Sequence, residues 1–146
     1  MNGKISDHAV VGDNVTVGAR SKVWHFANVE DGVTIGDDCA VGSHTYVGRD
    51  TRIGNGVRIQ SFVSICRGAI LEDRVFISPH VQITDDKHPR AGNPGYKAEP
   101  PVLREGCSIG AGAIIMPGVE IGAGATVGAG AVVTHDVPAA GTAMGV

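Results

Sequence analysis

Beginning at Ile5, every sixth residue of the chain is aliphatic: Val11, Val17, Val23, Val29, Ile35, Val41, Val47, Ile53, Ile59, Ile65, Leu71, Ile77 and Ile83 follow without a miss. Four residues after each of these comes a small or β-branched side chain, as at Val15, Ser21, Ala27, Val33, Cys39 and Thr45. A period of six fits neither the 3.6 of a helix nor the plain alternation of a strand. Each unit is therefore one short strand plus a turn. Gly, Asn and Asp occupy the turns, as in Ile35-Gly36-Asp37-Asp38 and Ile53-Gly54-Asn55-Gly56, where they tolerate positive φ. One such unit cannot bury a face alone, but coils of three units, stacked, enclose a prism of aliphatic side chains. The pattern predicts an all-β parallel β-helix, a triangular solenoid forming one domain over residues 1–146.

After Ile83 the next aliphatic position is due six residues on, yet the register returns only at Leu103, an insertion of fourteen residues. It then runs through Ile109, Ile115, Ile121, Val127 and Val133, with Cys107, Ala113, Val119, Ala125, Ala131 and Val137 at the small position. Residues at about 84–102 are thus expected to leave one corner as a loop. Asp85, Asp86, Lys87, His88, Arg90 and Tyr96 gather acid, amine, imidazole, guanidinium and phenol within it. Long aperiodic loops are either functional or disordered, and this density of chemistry favours function.

Residues eighteen apart lie one above another in a three-sided coil. Trp24-His25-Phe26, Gly42-Ser43-His44, Gln60-Ser61-Phe62 and Ser78-Pro79-His80 therefore share a corner, which Gly110-Ala111-Gly112 and Gly128-Ala129-Gly130 continue after the loop. The lower part of that corner is bulky, whereas the upper part is stripped to Gly and Ala. It is expected to lie beside the loop and to let something extended approach the backbone; the bland alternative is that glycine simply makes good turns. His8, His44 and His80 are two coils apart, roughly 9–10 Å at about 4.8 Å per coil. That is too far to share a metal ion within one subunit, and no metal is expected.

Composition narrows the function. The net charge is −3 and no basic stretch gathers the Lys and Arg that phosphate backbones require, which argues against nucleic acid. No apolar run approaches a membrane span, and the N-terminus lacks the apolar block of a signal peptide, so a cytoplasmic protein is expected. Cys39, Cys66 and Cys107 are widely spaced, without a C-x-x-C pair, and read as reduced packed thiols.

The hexapeptide pattern resembles the left-handed β-helix acyltransferases. Val23-Trp24-His25-Phe26, Ile59-Gln60, the segment Thr84-Asp85-Asp86-Lys87-His88-Pro89-Arg90 and the stretch Gly128-Ala129-Gly130-Ala131-Val132-Val133-Thr134-His135-Asp136-Val137-Pro138 together resemble the nucleotide-sugar N-acetyltransferases of the WbpD/WlbB-like group. The resemblance implies a left-handed coil and a homotrimer with active sites between adjacent prisms. It also implies transfer of the acetyl group of acetyl-CoA to the amino group of a UDP- or dTDP-linked amino-deoxysugar, in surface-polysaccharide or O-antigen synthesis. On that footing acetyl-CoA would run along the C-terminal coils near Gly110, Ala111, Ala113, Met116, Gly128, Ala129 and Thr134. The sugar nucleotide would lie near Trp24, His25, Gln60, Lys87, Arg90 and Tyr96. Two departures stand out. Relatives often carry Asn where this chain has Asp85 or Asp86, and they usually continue past Gly145-Val146 with a Pro-Ala-Arg tail.

Acetyl transfer from a thioester needs a neutral amine about 3 Å from the carbonyl carbon and a donor for the developing oxyanion. Imidazole suits the removal of the amine's proton near neutral pH, which points to His80. Asp85 and Asp86 could instead bind the ammonium form and pass its proton on, with His88 close in sequence to both. Against these roles, His80 could be a stacked turn residue, Asp85 and Asp86 could cap the loop locally, and Lys87 and Arg90 could be solvated surface charge. Two further classes share such a fold: a γ-carbonic-anhydrase-like metalloenzyme with histidines from two subunits, and a non-catalytic scaffold of stacked solenoids.

Overall fold

The computed structural model describes residues 3–146. Each hexapeptide forms a two-residue strand whose second member is the recurring aliphatic residue, as in Arg58–Ile59 and Phe76–Ile77. Strands sort into three parallel sheets, the faces of a left-handed triangular prism. The first face climbs from Lys4–Ile5 through Lys22–Val23, Ala40–Val41, Arg58–Ile59, Phe76–Ile77, Ser108–Ile109 and Thr126–Val127 to Thr142–Ala143. The second runs from Val10–Val11 to Val132–Val133, and the third from Thr16–Val17 to Glu120–Ile121. Parallel strands normally connect with a right-handed crossover because strand twist dictates it; strands of two residues carry too little twist to impose that hand.

Register advances one rung per coil, so that Ile59 pairs with Ile77. Across the insertion the same geometry holds: Leu71 pairs with Leu103 and Ile83 with Ile115. The two predicted ladders fill the prism. Ile59, Ile65, Leu71, Ile77, Leu103, Ile109, Ile115 and Ile121 are fully buried, interleaved with Val33, Val57, Val75, Cys107 and Ala113. Ile5 departs from the pattern at 43% exposed, and Val11 is only partly buried, because no coil of the described residues lies beneath them. Polar members of the small ladder bond to the backbone of the next coil. Ser21 Oγ donates to the Gly36 carbonyl at 2.6 Å, and Thr45 Oγ1 donates to that of Gln60 at 2.9 Å.

The corners explain the glycine content. Their third residue adopts positive φ, at Asp38, Gly56 and Arg74 on one corner and at Phe26, His44, Phe62 and His80 on another. A phenylalanine there is unusual, costing on the order of 1–3 kcal/mol in backbone strain, and stacking of the rings offsets part of it.

Candidate functional site

The corner between the first and second faces carries that stack. His8, Phe26, His44, Phe62 and His80 form one column along the axis, with successive centroids 5.7, 5.1, 4.7 and 5.2 Å apart. The upper three rings are almost parallel, at 4° between planes. Above His80 the column stops, since the next rungs are Gly112 and Gly130, whose amides bond to the carbonyls of Pro79 and Ala111. Beside the lower rungs, Lys22 Nζ sits 5.7 Å from the Trp24 ring centroid, and Ser6 Oγ bonds to His25 Nδ1 at 2.5 Å.

The loop leaves a different corner, the one between the second and third faces. It starts at Thr84, whose hydroxyl donates to the Ile115 carbonyl at 2.9 Å, and folds back over that corner. Its returning limb is tied to the outgoing one: the Glu99 amide donates to the Asp85 carbonyl at 2.8 Å, and Lys87 Nζ lies 3.2 Å from Glu99 Oε1. The limb is also tied to the solenoid, because the Gly118 amide donates to the Glu99 carbonyl at 2.7 Å. Between loop and shaft opens a cleft of about 560 Å3, lined by Tyr46, Ser64, Cys66, Arg67, Ile83, Thr84, Asp85, Asp86, Pro89, Tyr96 and Met116. The Tyr96 hydroxyl donates to Asp85 Oδ2 at 2.5 Å, and this bond is the main cause of a phenol pKa above its ordinary value. Burial, and then the Asp85 carboxylate, push the Cys66 thiol up to about 12.

The model of the bacterial transferase hexapeptide (six repeats) matches residues 15–49, 50–85 and 100–135. The chain belongs to the bacterial transferase hexapeptide family. The stretch between the last two matched segments, residues 86–99, is the body of the loop. Solved structures with the same fold include the acetyltransferase domain of PglB from Neisseria gonorrhoeae FA1090, 23% identical with a TM-score of 0.61. That match covers 97% of this chain and 53% of the PglB chain. WeeI from Acinetobacter baumannii AYE is 23% identical with a TM-score of 0.62, over 96% of this chain and 53% of its own. AntD, an N-acyltransferase from Bacillus cereus solved with dTDP and 3-hydroxybutyryl-CoA, is 24% identical with a TM-score of 0.55, over 97% of this chain and 74% of its own. A Schizosaccharomyces pombe (strain 972 / ATCC 24843) protein with a provisional acetyltransferase name is 40% identical over 77 residues, 50% of this chain and 37% of that protein. The chain thus spans about half the length of PglB and WeeI, and its match spans less than half of the yeast protein.

The hexapeptide transferase distributes its expected site residues over two corners. Asp85, Asp86, Tyr96 and Met116 meet in the loop cleft. His88 and Arg90 line a neighbouring hollow with Pro89, Asn93 and Gly95. Asp86 Oδ1 accepts the His88 amide at 3.0 Å, the local capping that the alternative reading anticipated. Lys87 is engaged by Glu99, and Arg90 Nη2 donates to Asn93 Oδ1 at 3.1 Å. His80, Trp24, His25 and Gln60 belong to the other corner, with Gly110, Ala111, Gly128 and Ala129 above them.

The expectation that the Gly/Ala corner lies beside the loop is therefore corrected. The loop departs after the second-face strand Gln82–Ile83, one strand beyond His80, so a face of the prism separates the two corners within one chain. Ala113 is also corrected as a ligand contact, because its side chain is fully buried in the core. Thr134 sits on the loop's corner, bonded to its neighbour His135 at 2.9 Å. Cys66, expected only as a packed thiol, and Arg67 join the cleft as well, and the rule of eighteen places them directly beneath Thr84 and Asp85. The three imidazoles of the column do not converge, being separated by phenyl rings. Among the described residues no group of three or more His, Cys, Asp or Glu is arranged to hold a metal, and no helix is long and apolar enough to cross a membrane.

Proposed function

We propose that this hexapeptide transferase moves the acetyl group of acetyl-CoA to the amino group of a UDP- or dTDP-linked amino-deoxysugar, serving surface-polysaccharide synthesis in the cytoplasm. The observation that carries the reading is the loop cleft: a concave, partly apolar surface of Ile83, Pro89 and Met116 that also carries the carboxylates of Asp85 and Asp86, the former held by Tyr96. A few polar groups fixed in an apolar hollow are the usual anatomy of a small-molecule site. Asp85 would draw in the acceptor's ammonium and take one proton, leaving a lone pair free to attack the thioester carbonyl. The new N–C bond forms as the C–S bond breaks, and the second amine proton ends on the departing CoA sulfur. Family membership supports transferase chemistry, and the AntD and PglB folds are known with dTDP and a CoA ester and with acetyl coenzyme A, respectively.

The separation of the two corners bears on assembly. A cofactor lying along Gly110, Ala111, Gly128 and Ala129 would be a face of the prism away from Asp85 of the same chain and would meet the cleft of a neighbouring copy instead. A closed threefold ring brings corner to cleft three times over. In that arrangement His80 of one copy is the candidate relay that carries the second amine proton to the CoA sulfur at the site of the next. The test is release of free thiol from acetyl-CoA against a panel of UDP- and dTDP-amino sugars, with mass measurement of the native assembly. Turnover with at least one such acceptor, at least ten-fold slower in Asp85→Ala without loss of thermal stability, is expected. Silence across the panel, or full activity from a monomer, would count against the reading.

A further inference from the structure

We propose that Tyr96 is a positioning residue for Asp85: its hydroxyl holds one carboxylate oxygen and so directs the other toward the acceptor's amine. This rests on the reading of the cleft just given. Tyr96 donates to Asp85 Oδ2 at 2.5 Å, and among the described residues no protein donor engages Oδ1. A carboxylate held by one oxygen can no longer spin freely about its terminal torsion, which is otherwise broad and loosely held.

The backbone that carries the phenol is itself held in a turn. The Tyr96 amide donates to the Asn93 carbonyl at 3.2 Å, while Asn93 Oδ1 accepts the Gly95 amide at 3.0 Å and Arg90 Nη2 at 3.1 Å. Asp85 is gripped a second time through its backbone, whose carbonyl accepts the Glu99 amide, and Glu99 is bonded in turn to Gly118 of the shaft. Asp85 is thus held twice, through its backbone to the shaft by way of Glu99 and Gly118 and through its side chain to the loop's own turn at Asn93. Preorganisation of this kind is what acyl transfer rewards, since small misplacements of a reacting group are costly. The raised phenol pKa agrees with it: Tyr96 remains a protonated donor throughout the neutral range. Contact with substrate, the role the sequence suggested for Tyr96, is not needed, because its hydroxyl already has a partner.

The test combines kinetics with a titration. Tyr96→Phe, which keeps the ring, is expected to lower kcat for the amino-sugar acceptor at least five-fold with KM for acetyl-CoA unchanged. Tyr96→Phe added to Asp85→Ala is expected to cost nothing further, since two residues acting as one unit are not additive. Tyr46 and Tyr96 are the chain's two tyrosines, so phenolate absorbance in a Tyr46→Phe background reads Tyr96 alone. Its midpoint is expected to fall when Asp85 becomes Ala. Wild-type turnover in Tyr96→Phe, additive losses, or an unmoved midpoint would each overturn the positioning role. Undiminished turnover in Asp85→Ala, whatever the titration gives, removes the assignment of the amine to Asp85 instead.

Discussion

Cys66 sits at the floor of the loop cleft with its thiol held up to about 12 by burial and by the neighbouring Asp85 carboxylate. A thiol raised that far stays neutral at pH 8, and only the thiolate reacts. Alkylation of Cys66 by iodoacetamide at pH 8 is therefore expected to be at least about ten-fold slower than that of free cysteine, as read by peptide mass mapping, and to accelerate in Asp85→Ala. At this scale the sequence was only partly legible. Asp85 could be singled out because it stands in an aperiodic, charge-rich stretch. Cys66 and Arg67 gain their role from the chain folded above them, and only the count of eighteen back from Thr84 and Asp85 brings them out. Ala113 failed for the opposite reason: its neighbours belong to a corner, but its own place in the period of six is an interior one.

Single hexapeptides owe their geometry to the coils on either side. Gly36 has an ordinary φ, yet a Cβ there would fall on the Gly54 carbonyl and on Asn55 Oδ1 in the turn above, whose side chain accepts the Asp37 amide at 2.8 Å. Gly36→Ala is accordingly expected to destabilise by about 1–3 kcal/mol in chemical denaturation. Ile77 is fully buried between the rungs of Ile59 and Ile109, and Ile77→Ala is expected to cost about 2–5 kcal/mol by the same measurement. Strands and turns were readable from the sequence because a period of six leaves few ways to bury one residue in each unit. The positive φ of Phe26 and Phe62 was not, since local preference opposes it and a ring stack between separate coils sustains it.

For the whole molecule, the pairing of Leu71 with Leu103 and of Ile83 with Ile115 shows that the shaft continues past the insertion as though it were not there. Replacing residues 86–99 by a short Gly-Ser linker is expected to change the unfolding free energy by no more than about 1 kcal/mol, because closure entropy varies slowly with loop length. The same replacement is expected to abolish acyl transfer, which a thiol-release assay reads. The six-residue register and the position of the break were legible from counting alone. Which corner the loop adjoins was legible in the same count, since eighteen back from Thr84 and Asp85 stand Cys66 and Arg67, a different stack from the one that holds Phe62 and His80. An excursion that rejoins the next face at the rung it would have occupied anyway leaves the register of the coils around it unchanged. Its length and chemistry can therefore change while the shaft keeps its pairing, so that under the proposed function a different acceptor could be accommodated without refolding.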